Sequence, residues 1–383
     1  MPEAHTRAAQ DNAWAQKRNC ERISELILHY LKMHLSQYAR DAMRILPVFV
    51  FLFLPVFSLA AQTPATPSPE DGLQKARVAL EHDRPSEALA LLQPMAALAP
   101  AVKGVQHELG LVYYRTGKLV EARQAFAAAI EQDGEDKESV QMEGLTLYRL
   151  GQPGAAIPYL ERVRQWMPGA NTDATYVLGL CYLNVRRYDD ARASFATQFG
   201  LTPDSAGAYL LLGAMLRRAN LPELAALQAQ KAVELEPGLP LAHFMLGEVA
   251  LLKSDVDKAV AEFEAERKIN PEYAPMYDRL GDAYLRVDKL DEAQQALTKA
   301  IALDTSSTGS FTKMGKVLLR RQDTQTAIMY LKHAEKMDPS DYTIHALLSQ
   351  AYHRIGQDDD AKRESALSSK IHVDNQLKLD PEK

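Results

Sequence analysis

The 383-residue chain is 46 % hydrophobic and 25 % charged with few aromatic residues, the balance of a helical globular protein with ample material for a core. Its formal net charge of −6 is spread along the sequence, and no basic block marks nucleic acid as a partner. Length alone suggests two or three domains, but the repetition described below replaces that expectation, because a solenoid grows by stacking and has no single core to saturate.

In residues 1–42, Ile23, Leu26, Ile27, Tyr30, Leu31, Leu35 and Tyr38 follow amphipathic helical spacing. From Met43 the chain has the build of a secretory signal. Arg44 supplies a positive charge, Ile45 to Leu59 form an apolar run of 15, and Ser58 and Ala60 are small residues at signal-peptidase spacing. The run is short for a membrane span and holds Pro47 and Pro55. A cleaved signal at 43–61 is therefore expected, with translation starting at Met43 and residues 1–42 an over-extended gene start. The alternative is a real cytosolic leader ahead of an uncleaved anchor. Both place the remainder outside the cytoplasm, periplasmic or extracellular, and cleavage leaves no stable membrane insertion. Residues 62–68 read as a proline- and threonine-rich linker.

From residue 69 one unit recurs. Gly110, Gly144, Gly179, Gly213, Gly247, Gly281 and Gly315 stand 34 residues apart with a single interval of 35. Alanine follows each by twelve residues, from Ala122 to Ala327. A bulky residue follows by sixteen (Phe126, Leu160, Phe195, Phe263, Leu297, Leu331), with Ala229 the one small exception. Pro168, Pro203, Pro237, Pro271 and Pro339 close five of the units as helix stops. In one unit Tyr277, Leu280, Gly281 and Tyr284 form an apolar stripe at helical spacing, Asp288 and Lys289 make the break, and Ala293, Leu297, Ala300 and Ile301 form a second stripe. Small Gly281 and Ala293 let the two helices approach closely, with the bulky residues expected to fill the gap to the next unit. So small a pair cannot bury its own apolar face and needs neighbours.

The phrases LGDAYLRVDKLDEAQQALTKAIALD and LGLVYYRTGKLVEARQAFAAAIEQD resemble the tetratricopeptide repeat family along almost their whole length. The resemblance implies an all-α, right-handed α-α superhelical solenoid of about nine helix-turn-helix repeats over 69–375, followed by a polar tail, 376–383. The first and last units lack the glycine, as capping repeats do. The single longer interval points to an extra turn residue around Gly169 to Asn171.

No phosphate-binding loop, HExxH motif, GxSxG elbow or CxxC is present, and the repeats leave no segment for a catalytic domain. A non-enzymatic protein with no cofactor and no metal is expected. His107, His243, His333, His345 and His353 are expected on the surface or in a groove, and Cys181 as a buried small hydrophobe. The resemblance implies a binding groove on the first helices, with contacts from three before and one, four and five after the repeat glycine. Five after it stand Arg115, Arg149, Arg218, Arg286, Arg320 and Arg354, interrupted by Asn184 and Leu252. Aligned on successive helices they form either a ladder for an anionic partner or a solvated row. Tyr114, Tyr148 and Tyr176 are the aromatic companions, and Phe244 belongs to an apolar middle. The family's carboxylate clamp is absent, because Leu111, Leu145, Leu180, Ala214, Glu248, Asp282 and Lys316 fill the place of its asparagine.

The expected function is an exported protein–protein interaction scaffold holding a protein or peptide segment in the groove. The alternative is an adaptor binding an acidic glycan or polymer through the arginine ladder. Monomer and dimer are both left open.

Overall fold

The structure, a computed structural model, describes residues 69–98, 102–166 and 172–379. The expected leader, signal, linker, the turn around Gly169 to Asn171 and the last four residues lie outside the described residues. Those described hold eighteen helices and no strand, an all-α repeat fold of the superhelical class. In pairs they are α1 (Pro69–Glu81) and α2 (Pro85–Ala96), α3 (Val105–Arg115) and α4 (Leu119–Gln132), α5 (Lys137–Arg149) and α6 (Pro153–Trp166), α7 (Thr172–Asn184) and α8 (Tyr188–Gln198), and α9 (Ala206–Arg218) and α10 (Pro222–Leu235). There follow α11 (Ala242–Leu252) and α12 (Val256–Ile269), α13 (Ala274–Arg286) and α14 (Leu290–Leu303), α15 (Thr308–Arg320) and α16 (Thr324–Met337), and α17 (Tyr342–Arg354) and α18 (Asp358–Leu379). The last helix runs on to Leu379, into the segment expected as a polar tail.

Local chemistry starts and stops these helices. Asp136, Asp255, Asp323 and Asp341 each precede a helix and accept a backbone N–H of its first turn, satisfying donors the helix itself cannot pair. Within each pair the chain reverses through one left-handed residue, seven after the repeat-glycine position. Glycine fills it at Gly117, Gly151 and Gly356, but Asp83, Arg186, Asn220, Ser254, Asp288 and Gln322 hold φ between 54° and 65°, a conformation that strains a side chain.

The repeat glycines lie inside the first helices for a steric reason. A Cβ on Gly281 would stand 2.6 Å from Leu297 Cγ, and one on Gly110 would stand 2.4 Å from the Phe126 ring. The bulky residue sixteen positions on thus seats against the glycine of its own repeat, and it also joins the cluster that fills the gap to the next, as Leu297 does with Phe311 and Met314 and Phe263 with Met276 and Leu280. Gly213 tests the rule. Its partner position is small Ala229, and Met245 of the following repeat fills the space, with Sδ 2.9 Å from where a Cβ would sit.

The helices fall into two compact units divided between Leu212 and Gly213. In the first, a buried cluster runs from Leu73 through Leu92, Leu109 and Val112 to Ala125. In the second, one cluster centres on Phe263, Met276 and Leu280, and another on Leu297, Met314, Leu331 and Leu348. Inside each unit, first helices of successive repeats touch directly: α1 with α3, α3 with α5 and α5 with α7, then α11 with α13, α13 with α15 and α15 with α17. These first helices carry the candidate residues.

Candidate functional site

All six arginines of the expected ladder are the last residues of first helices. The structure turns several of them backwards. Arg115 donates to the Leu80 carbonyl at 2.7 Å, Arg320 to that of Leu285 at 2.8 Å and Arg286 to that of Leu251 at 3.4 Å. Arg354 donates to the Leu319 carbonyl in the same register. Each acceptor lies in the last turn of the preceding first helix, where carbonyls lack an intrahelical donor and the helix dipole favours a cation. Arg286 also grips Asp282 at 2.9 Å, and Arg320 faces Asp288 at 3.3 Å. Arg149 lies over the Tyr114 ring, 4.6 Å from its centroid. Arg218 ends α9. Where the series breaks, Asn184 bonds back to Leu180 of its own helix at 2.8 Å, and Leu252 is 68 % exposed.

The expected aromatics do not converge. Tyr148 is half-buried, and burial raises its hydroxyl pKa. Tyr176 tilts against Phe195, centroids 5.7 Å apart. Phe244 meets Tyr273 edge-on at 5.1 Å and Phe263 at 5.8 Å. Its backbone is fixed by buried Glu266, which accepts the N–H of Leu241 at 2.8 Å and that of Phe244 at 3.2 Å, a carboxylate at a helix N-terminus.

Around Phe244 the second unit opens a cavity of about 410 Å³. Arg217 of α9, Glu248 of α11, Tyr273 at the foot of α13, Asp278 and Arg279 of α13, and Lys313 of α15 line it. Glu248 lies between two arginines, 3.5 Å from Arg217 and 3.3 Å from Arg279. Asp278 takes Lys313 at 2.8 Å and the Ser310 hydroxyl at 2.7 Å. Burial, with Glu248 and Glu266 adding their charge, holds the Tyr273 hydroxyl protonated far above its ordinary range. Sequence reasoning missed Arg217, Asp278 and Arg279, and met Glu248 only as an occupant of the clamp asparagine's place. The signal was present: Arg217 stands four after a repeat glycine, Glu248 one after and Asp278 three before.

Other titratable groups divide between packing and chemistry. His345, expected on the surface or in a groove, is instead 3 % exposed. Its Nδ1 pairs with buried Glu364 at 2.7 Å and its Nε2 meets the Pro339 carbonyl at 3.0 Å. A neutral imidazole has one N–H, so two acceptors call for the imidazolium. Burial alone would depress its pKa, but the Glu364 hydrogen bond and charge hold it above the ordinary value. Glu335, His345 and Glu364 have ligand-capable atoms within 4.8 Å of one another. That set fits a proton and not a metal ion, because both ring nitrogens are committed and Lys332 sits on Glu335 at 2.6 Å. His243 repeats the pairing with Glu262 at 2.7 Å. Glu143 is buried with Oε2 unpaired. Desolvation, only partly offset by Arg123 at 3.7 Å, raises its carboxyl to about 7. Cys181 is buried, and its thiol is pushed up to about 12, an unreactive side chain.

Helical hairpins repeating at 34 residues with their first helices side by side define a helical-repeat protein whose surface serves contact. Tetratricopeptide repeat models match residues 73–137 and 225–274, 147–216, and 274–307, together more than half of the chain. The chain belongs to the tetratricopeptide repeat family, whose members are interaction scaffolds and typically not enzymes. It is 29 % identical over 136 residues to anaphase-promoting complex subunit 3 of Schizosaccharomyces pombe, covering 36 % of this chain and 20 % of that protein. It is 20 % identical over 288 residues to a BBSome complex member BBS4 homolog of Drosophila melanogaster, covering 72 % and 59 %. The chain thus spans less than two thirds of either relative. Among solved structures it matches the APC/C hetero-tetramer Cut9–Hcn1 at 21 % identity and TM-score 0.41, over 74 % of this chain and 56 % of that one. Among the described residues no helix is long and apolar enough to cross a membrane.

Proposed function

We propose that this chain is an exported, non-enzymatic scaffold that holds a segment of a protein partner along its first helices in the second unit. The observation that carries the reading is the cavity around Phe244, which gathers side chains from α9, α11, α13 and α15 into one recess. A recess spanning several repeats suits an extended chain running across them, as solenoids use their inner faces. The capping bonds of Arg115, Arg286, Arg320 and Arg354 to backbone carbonyls give the row a packing role and weigh against an acidic glycan as the principal ligand, since each guanidinium is anchored to the preceding helix. Export rests on the apolar run from Ile45 to Leu59 and the small residues after it.

A photo-crosslinking residue at Leu252 on the first-helix side, with another at Gln295 on α14, tests the groove in cells of the native host. A protein adduct at Leu252 and none at Gln295 is expected. Adducts at Gln295 alone, or none at either site, overturn the reading. N-terminal sequencing of the native product tests export: a start near Gln62 is expected, and recovery of residues from 1–42 refutes the cleaved signal.

A further inference from the structure

The gap in the arginine series is where the groove acquires a distinct chemistry. Leu252 holds the position that six other repeats give to arginine, four of them as a carbonyl cap, and it is 68 % exposed above buried Leu251. Beside it lies a second recess of about 260 Å³, lined by Arg217, Glu248, Leu251, Leu252, Arg279 and Arg286. It shares Arg217, Glu248 and Arg279 with the larger cavity, so those three side chains border both recesses.

The charges in this recess do not balance. Arg286 is committed to Asp282 at 2.9 Å. Arg217 and Arg279 face the single carboxylate of Glu248 from two helices at 3.5 and 3.3 Å, beyond the usual length of an N–H···O hydrogen bond. A guanidinium carries five donors, and one carboxylate cannot satisfy two such forks. Arg217 and Arg279 are 35 % and 44 % exposed, so unspent donors are accessible from the groove. In the adjoining cavity Asp278 is already held by Lys313 and Ser310, and Asp304 takes the Ser306 hydroxyl; neither lines this smaller recess. The recess therefore offers one guanidinium in excess beside an exposed leucine.

We propose that the segment held here is acidic and apolar together: an aspartate or glutamate whose carboxylate enters between Arg217 and Arg279, adjacent to a leucine, phenylalanine or tyrosine that covers Leu252. This deepens the proposed groove function and rests on it. A carboxylate is the group a guanidinium fork recognises through paired hydrogen bonds. The aliphatic or aromatic neighbour removes Leu252 from water and dries the ion contact, which strengthens it. A basic segment meets the excess positive charge and is rejected.

A random-peptide display library panned against the full chain, with the Arg217→Ala/Arg279→Ala double variant and Leu252→Ala in parallel, tests the assignment. Wild-type protein is expected to enrich peptides with an acid next to a large apolar residue. Changing that acid to its amide, or using the double arginine variant, weakens binding by about tenfold or more. Leu252→Ala keeps the acidic preference and loses the apolar one. A circular-dichroism melt verifies that each variant folds. Enriched peptides that lack acids, or bind the double variant equally well, overturn the assignment while the groove reading stands. No enrichment, or hydrogen-exchange protection mapping away from the first helices, defeats both. Capture of the chain by its own second copy at this recess also overturns the assignment.

Discussion

Replacing Arg286, Arg320 and Arg354 together by alanine separates the two roles open to the arginine row. In the structure each donates to a carbonyl in the last turn of the preceding first helix. A hydrogen bond from a charged donor contributes about 1.5–3 kcal/mol when buried. Arg286 and Arg320 are 46 % and 42 % exposed, so solvent screening reduces each bond to about 1 kcal/mol, with the helix-dipole interaction included. The triple variant should therefore lose about 3 kcal/mol, if adjacent repeats add. The loss should fall on the last repeats, since each repeat of a solenoid is held by its neighbours. Urea denaturation measures the total, and hydrogen exchange places it: faster exchange at the ends of α11, α13 and α15, whose carbonyls lose the arginine, unchanged in α3 and α5. Arg267→Ala is the control. That residue pairs with Glu264 one turn away while 48 % exposed, and its loss should change stability by about 0.5 kcal/mol or less. A triple variant as stable as this control would refute the capping account and return the row to ligand binding.

The packing of the repeat glycine gives a pair with opposite signs. Gly281→Ala should destabilise by about 1–2 kcal/mol in thermal melts, because the clash with Leu297 outweighs the helix propensity gained. Gly309→Ala, whose Cβ would meet nothing nearer than Lys313 Nζ at 3.5 Å, should stabilise by about 0.5 kcal/mol. Gln322→Gly should stabilise by about 0.5–1 kcal/mol, since φ of 65° costs glutamine what it does not cost glycine; an unchanged urea midpoint would count against the strain. Glu143 has a folded pKa of about 7 against an ordinary 4.5, so the native state keeps a proton that the unfolded state has released. Its stabilising effect is complete below about pH 4.5 and is lost as pH rises through 7, by about 3 kcal/mol. Glu143→Gln should flatten that slope and be the more stable protein at pH 8; urea titrations at pH 5 and pH 8 measure both.

The architecture was legible because packing inside a hairpin is short-range and repeats. Gly281, Ala293 and Leu297 meet within one helix pair, so their spacing in sequence maps directly onto contact. The reach of Leu297 to the next repeat was legible, but its seat against Gly281 of its own repeat was not, since periodicity locates a face and not every neighbour it meets. The capping role of the arginines was harder to see. An arginine at a helix end fits solvent, a ligand or a carbonyl equally well until the preceding helix is set beside it. Arg217, Asp278 and Arg279 escaped for a different reason: each differs from its counterparts in other repeats, and a search tuned to recurrence passes over what does not recur. Burial of His345 depended on Glu364, nineteen residues away on α18, a pairing that repeat six shares through His243 and Glu262.

The backward reach of the arginines gives the chain a polarity that its repetition hides. At four hairpins a carbonyl at the end of the first helix takes the N–H of its own turn and a second donor from an arginine made 35 residues later. Those four helix ends thus receive their last hydrogen bond from the repeat that follows. Removing repeats from the carboxyl end strips caps from the helices that remain, whereas removing them from the amino end leaves only arginines facing water, and the two kinds of truncation differ in cost although the repeats themselves look alike.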